Sequence, residues 1–244
     1  MNRVTFTICC VLLLSSQAVG IAPIGPAAST LDQGRIKLGF DYTHTVFDGL
    51  PFDVTVGGKR EENPIDDKIN AYFARIGYGL VDPVDIFLRL GVANAELTET
   101  EFAWGLGGRF TFVRSERLDW GLIAQASWYS NDVETIRQDE IWGPVFYRED
   151  LNIRVIQIAA GPVYKGDRLS VYGGPFVFWS KGDGDLKVDY GLYSETYPID
   201  VESDIAAGVY VGLSLAVKPN INLKAECQLA GHFRAFGGSL IYRF

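Results

Sequence analysis

The sequence predicts an all-β protein: one closed, antiparallel, up-and-down transmembrane β-barrel of ten strands, with eight or twelve as the alternatives. Three observations predict it. Segments of about ten residues alternate apolar with small or polar side chains along most of the chain, the period of a strand with two unlike faces. Glycine is frequent, at 27 residues, and aromatics make up 13% beside a single methionine, which suits short strands and tight turns. The connections between segments alternate short and long, as in a barrel with tight turns at one end and loops at the other. A strand that is apolar only at every second position also accounts for a mean hydropathy of just +0.08. Beyond the N-terminus there is no run of about 18 apolar residues, the length a membrane helix needs.

The chain opens with a basic Met1-Asn2-Arg3, an apolar stretch over 4–16 and a small-residue cleavage site at Ala18-Val19-Gly20. Residues 1–20 read as a signal peptide that is removed on export, its apolar core being too short to span a membrane. Cys9 and Cys10 go with it. Cys227 is then alone, without a disulfide partner, and sits on the apolar face of its strand as a small hydrophobe. Residues 21–33 form a Pro/Ala/Ser-rich lead, and 34–244 form the barrel domain.

In the first strand, 34–45, Ile36, Leu38, Phe40 and Tyr42 oppose Arg35, Lys37, Asp41 and Thr43. In the second, 70–80, Tyr72, Ala74, Ile76, Tyr78 and Leu80 oppose Arg75, Gly77 and Gly79. A turn at 81–85 leads to the third, 86–95, where Leu88, Leu90 and Val92 oppose Arg89, Gly91 and Ala93. The fourth, 102–112, sets Phe102, Trp104, Leu106, Phe110 and Phe112 against Gly105, Gly107 and Arg109. The fifth, 120–130, sets Trp120, Leu122 and Trp128 against Gly121, Gln125 and Ser127, and the sixth, 151–165, sets Ile156, Ile158 and Tyr164 against Gln157, Ala159 and Gly161. The seventh, 169–180, has ambiguous parity around Gly173-Gly174-Pro175, a candidate bulge. The eighth, 205–217, alternates most clearly, with Val209, Val211, Leu213 and Leu215 against Gly208, Tyr210, Gly212 and Ser214. The ninth, 221–230, sets Leu223, Ala225 and Cys227 against Lys224, Glu226 and Gln228.

The tenth strand, 235–244, places Phe236, Gly238, Leu240, Tyr242 and Phe244 on one face and Gly237, Ser239, Ile241 and Arg243 on the other, and the chain stops on an aromatic. This ending resembles the C-terminal signal of bacterial outer-membrane β-barrels, with Phe244 as the residue the barrel-assembly machinery reads. As a pattern the whole mature chain resembles the broad family of small outer-membrane barrel proteins of the opacity type. The resemblance implies the cell outer membrane, periplasmic termini with 21–33 as a periplasmic lead, extracellular long loops, and outer-membrane lipids and lipopolysaccharide as surroundings. With that direction, lipid-facing aromatics fall into two girdles. Tyr42, Tyr72, Trp104 and Trp128 stand near the outer strand ends, and Phe110, Phe112, Trp120 and Tyr242 near the periplasmic ends.

The inward set gathers Lys37, Arg75, Arg89, Arg109, Lys224, Glu226 and Arg243, with Asp41, Gln125, Gln157 and Gln228. Ten strands lie close to the size whose interior side chains fill. These residues therefore read as a polar network that plugs the lumen, or alternatively as a narrow conduit favouring anions. Stretches 47–68, 130–151 and 180–204 carry net charges of −3, −4 and −5, together −12 against −8 for the chain, so the loop end is acidic. That acidity argues against nucleic acid as a partner and leaves an extracellular ligand at these loops as a candidate. Their aromatics, among them Trp142, Tyr147, Tyr190 and Tyr197, suit such recognition or, the favoured reading, hairpins that extend beyond the membrane. Asp183-Gly184-Asp185 lacks the further spaced ligands of a calcium loop, so no metal and no cofactor are assigned. An enzyme needs a nucleophile or base with an orienting partner. The two histidines, His44 and His232, fall near outer strand ends, and neither stands in the pattern of a lipid A deacylase. The expectation is a non-enzymatic outer-membrane protein with a structural or surface-interaction role. A minor pore for small solutes, anions among them, and a lipid-modifying enzyme are the alternatives.

Overall fold

The alternation read from the sequence becomes two faces of one continuous sheet. The computed structural model describes residues 22–95, 100–139, 143–191 and 193–244, so the signal peptide read over 1–20 lies outside the described residues. Eleven strands are described: β1 (Ile36–Val56), β2 (Lys59–Val81), β3 (Val84–Ala95), β4 (Glu101–Val113), β5 (Leu118–Asp139), β6 (Gly143–Lys165), β7 (Leu169–Asp189), β8 (Ser194–Ser203), β9 (Ala206–Lys218), β10 (Ile221–Ala230) and β11 (Phe233–Arg243). Ten of them, all but β8, form a closed antiparallel ring in chain order. The seam pairs β1 with β11 from Lys37↔Arg243 to Phe47↔Phe233, so the sheet has no free edge at this level.

The parity is the expected one on the ring strands other than β7, for which the sequence left it open. Arg75, Arg89, Arg109, Gln125 and Gln157 face inward and are buried, while their neighbours Ile76, Leu88, Phe110 and Ile158 face outward and are exposed. In β7, Tyr172, Phe176 and Phe178 point inward, and pairing with β6 keeps one register on both sides of Gly173-Gly174-Pro175. Gly174 has φ +155, and a Cβ there would overlap the backbone of Ala160, which explains a glycine where β6 and β7 approach so closely.

The long connections are themselves mostly strand. The hairpins β1–β2, β5–β6 and β7–β8 continue the sheet well past the ring, which ends on β3, β4, β9, β10 and β11 after only ten to thirteen residues. The eleventh strand, β8, lies in the stretch 180–204 that the sequence placed in a loop. It takes over the wall above β9–β11, pairing with β7 from Lys181↔Glu202 to Asp189↔Ser194 and with β1 from Phe52↔Ser203 to Val56↔Ile199. Pro198 sits at the tip, where its carbonyl accepts a hydrogen bond from Gly57 N and no ladder with β1 remains to be broken. The projecting sheet has its own interior of Val54, Val145, Tyr147, Leu186, Val188, Ile199 and Val201. The acids of the three stretches at Glu61, Glu62, Asp66, Asp67, Asp139 and Glu140 fall outside the described side chains.

Candidate functional site in the lumen

The site is built around residues 22–31, which were expected below the barrel as a periplasmic lead. They lie inside it. Ala22, Ile24, Ala27, Ala28 and Leu31 are all buried, and the segment runs down the lumen to Gly34 before β1 climbs the wall. The wall leaves room for it: a Cβ at Gly121 would overlap the backbone of Ala28, and one at Gly79 the carbonyl of Asp32. An extended segment in a lumen must satisfy its own backbone groups, and here strand side chains do so. Ile24 N and Gly25 N donate to the two oxygens of Glu226 at 2.8 and 2.7 Å. Thr30 N donates to Asp85 at 3.0 Å and Ser29 N to Thr111 Oγ1 at 2.8 Å. In the other direction, Arg89 Nη2 donates to Pro23 O at 2.6 Å and Gln228 Nε2 to Ala22 O at 3.3 Å.

Around this segment the inward residues named from the sequence form two ion clusters and a hydrogen-bonded belt. Asp41 meets Arg75 at 3.3 Å and Arg89 at 3.1 Å; Asp85 meets Lys37 at 3.2 Å and Arg109 at 3.3 Å. The Arg89 and Arg109 guanidiniums stand 4.8 and 4.7 Å from the Phe87 ring centre, a cation–π arrangement on either side of one phenyl. From Arg89 the belt continues through Gln125, Gln157 and Gln228 to Glu226, with links of 3.0, 2.7, 3.3 and 2.9 Å. Lys224 and Arg243 face the same lumen and join neither cluster.

Toward the projecting sheet the inner face changes character. The sequence suggested a polar lumen throughout, but here it is filled by Phe47, Phe73, Phe176, Phe178, Phe233, Tyr172 and Tyr210. Phe233 packs edge-on against Phe178 at 4.7 Å and against Phe176 at 5.9 Å. Phe176 and Phe178 are inward residues of β7, whose parity the sequence left open. Phe233 falls between the ninth and tenth segments read from the sequence and starts β11.

Several of the outward aromatics pair with one another along the wall. Trp104 stacks on Trp128 at 4.2 Å, Tyr42 pairs with Tyr72 at 5.1 Å, and Tyr242 with Phe244 at 4.8 Å, while Phe110, Phe112 and Trp120 are exposed. The histidines stay apart: His44 Nδ1 meets Asn70 Oδ1 at 3.0 Å, and His232 Nδ1 meets Asp48 O at 3.4 Å. Among the described residues no group of His, Cys, Asp and Glu could hold a metal ion. On the projecting sheet, Arg148 bridges Asp132 at 2.7 Å and Glu134 at 3.3 Å. A hydrogen bond from Arg60 holds the Asp53 carboxyl below the usual carboxylate range, and a hydrogen bond to Glu195 pushes the Tyr197 phenol up to about 12.

No protein-family model and no curated protein sequence matches the chain. Solved structures do. The translocator domain of autotransporter NalP from Neisseria meningitidis aligns at TM-score 0.51 and 9% identity, over 88% of this chain and 90% of that one. The outer membrane protease OmpT from Escherichia coli aligns at TM-score 0.45 and 12% identity over 93% and 100%. The attachment invasion locus protein Ail of Yersinia pestis aligns at 0.34 and 16% over 87% and 99%. At these identities the likeness is one of fold, and it agrees with the closed ring: the chain has the β-barrel architecture of the NalP translocator domain.

Proposed function

We propose that the protein is an integral outer-membrane β-barrel with a lumen closed by its N-terminal lead, a periplasmic C-terminus and an extracellular projecting sheet, and that its role is structural or surface interaction, not conduction. The observation that carries this reading is the occupied lumen, which the lead fills within a hydrogen-bonded belt under an aromatic cap. Membrane insertion is supported by the outer face of the ring. Its outward positions 36–46, 70–80, 84–94, 102–112, 118–130, 156–164, 169–179, 205–217, 221–229 and 236–244 carry no Asp, Glu, Lys or Arg. Lys68, Arg154, Lys181 and Arg234 follow at the rim, where water and headgroups would begin. Above it, exposed Asp132, Asp150, Asp183, Asp185 and Glu202 make the projecting sheet the surface offered to a basic extracellular ligand.

The test is planar-bilayer recording of the purified protein. A flat trace at both polarities is expected, and unitary steps of constant size would overturn the closed reading. A minor anion pore is the second reading, favoured by Lys224 and Arg243, which leave the lumen bases in excess of its acids; the same steps, with anion-selective reversal potentials, would establish it. No observation here favours an enzyme.

A further inference from the structure

At the end of the barrel where β11 finishes, a cavity of about 330 Å³ lies between the lead, the ends of β5 and β6, and the walls of β7, β9, β10 and β11. Its lining is rich in donors. Ser170, Ser214 and Lys224 are direct cross-strand neighbours in one row, and Asn222 and Arg243 face the same space from β10 and β11. Of the carboxylates near it, Asp167 lines the cavity from the β6–β7 turn, where it is exposed, and the buried ones are already taken. Asp41 and Asp85 each serve two cations, Asp119 pairs with Lys165 at 2.9 Å, and Glu226 holds the backbone of the lead. Lys224 and Arg243 therefore have no carboxylate within ion-pair distance among the described residues, and Arg243 Nε is buried without a hydrogen-bond partner. Both side chains are half-buried, and a cation partly withdrawn from water without a counter-charge is costly, so the two around a donor-lined cavity call for an anion.

The geometry points to a binding site for a small oxyanion, a phosphate or sulfate group, held between the Lys224 ammonium and the Arg243 guanidinium and accepting from Ser170, Ser214 and Asn222. A tetrahedral oxyanion matches this set because its several oxygens can each take a donor, and an arginine fork can engage two at once. The group reaches the site as a free ion or on a lipid headgroup. The inference rests on the cavity and its unpaired bases and holds whether or not the barrel conducts.

Titration calorimetry on the refolded mature protein in a neutral detergent at low salt tests it. One arm uses inorganic phosphate and the other a short-chain phosphatidic acid. Saturable binding at one site is expected in at least one arm, and which arm saturates identifies the source. Lys224→Gln and Arg243→Gln each weaken binding at least tenfold, Lys224→Arg restores it to within about threefold, and the exposed Arg117→Gln leaves it unchanged, with heat-modifiable gel mobility showing that each variant is folded. Absence of saturable binding in both arms, or equal affinity in Lys224→Gln and Arg117→Gln, would overturn the site.

Discussion

Asp41 is the one carboxylate between Arg75 and Arg89, and all three side chains are almost fully buried. Burying such a group is expensive, and the expense is tolerated only while the charges balance. Replacing Asp41 with Asn keeps the shape but leaves two guanidiniums facing each other. A loss of about 3–5 kcal/mol in barrel stability is expected, measured by urea unfolding in lipid vesicles with tryptophan fluorescence. A loss below about 1 kcal/mol would show instead that water in the lumen solvates both arginines. The same reasoning explains what was legible here. Alternation alone put Lys37, Arg75, Arg89 and Arg109 on the inner face. It did not assign Asp41 to Arg75 and Arg89, or Asp85 to Lys37 and Arg109, because the shear between strands is set by the closed ring and not by any one segment.

The lead is an element without secondary structure, held by hydrogen bonds from strand side chains to its backbone. It left little trace in the sequence, since backbone donors and acceptors are the same for any residue. The signal that was present lies on the opposing wall: Gly79, Gly121 and Gly237 are inward glycines that leave a furrow, and Pro23 packs over the last of them. β8 was missed for a different reason. Its alternation at Ile199-Asp200-Val201-Glu202 is plain, but 180–204 was read as one acidic connection, and the extended hairpin favoured there was given no strand bounds. Two changes should loosen the lead without disturbing the ring. Gly121→Val drives a side chain into the backbone of Ala28, and deletion of residues 22–31 removes the segment outright. In planar bilayers the deletion should show conductance steps absent from the parent, and Gly121→Val briefer, flickering ones. A silent deletion variant would mean that the aromatic cap of Phe176, Phe178 and Phe233 is sufficient to close the lumen.

At the scale of the whole molecule, one sheet is built in two ways: a closed ring of ten strands and, above it, a projecting sheet in which β8 replaces three of them. Strand number was legible in the ring because apolar and small or polar residues alternate along nearly all of its strands, β7 being the one left open. Above the ring both faces carry mixed residues and the period is harder to read. Everything in the ring depends on the seam between β1 and β11, where eleven residue pairs join the first strand to the last. Phe244 ends that seam. Its N–H donates to Ile36 O at 3.1 Å and its ring lies against Tyr242, yet it is among the more exposed residues of the outer face. Deleting it removes that backbone hydrogen bond, worth about 0.5–1.5 kcal/mol net, and an exposed one of 3.4 Å from Arg35, from a ladder that is otherwise intact. The finished barrel should therefore refold in detergent with nearly the parent's stability. If the terminal aromatic is what the assembly machinery engages, the deletion will instead fail in cells: the folded, heat-modifiable form in the outer-membrane fraction should fall several-fold while unfolded chain accumulates or is degraded. Normal assembly in cells, or a refolded barrel destabilised by far more than one hydrogen bond, would place the role of Phe244 in the seam itself and not in insertion.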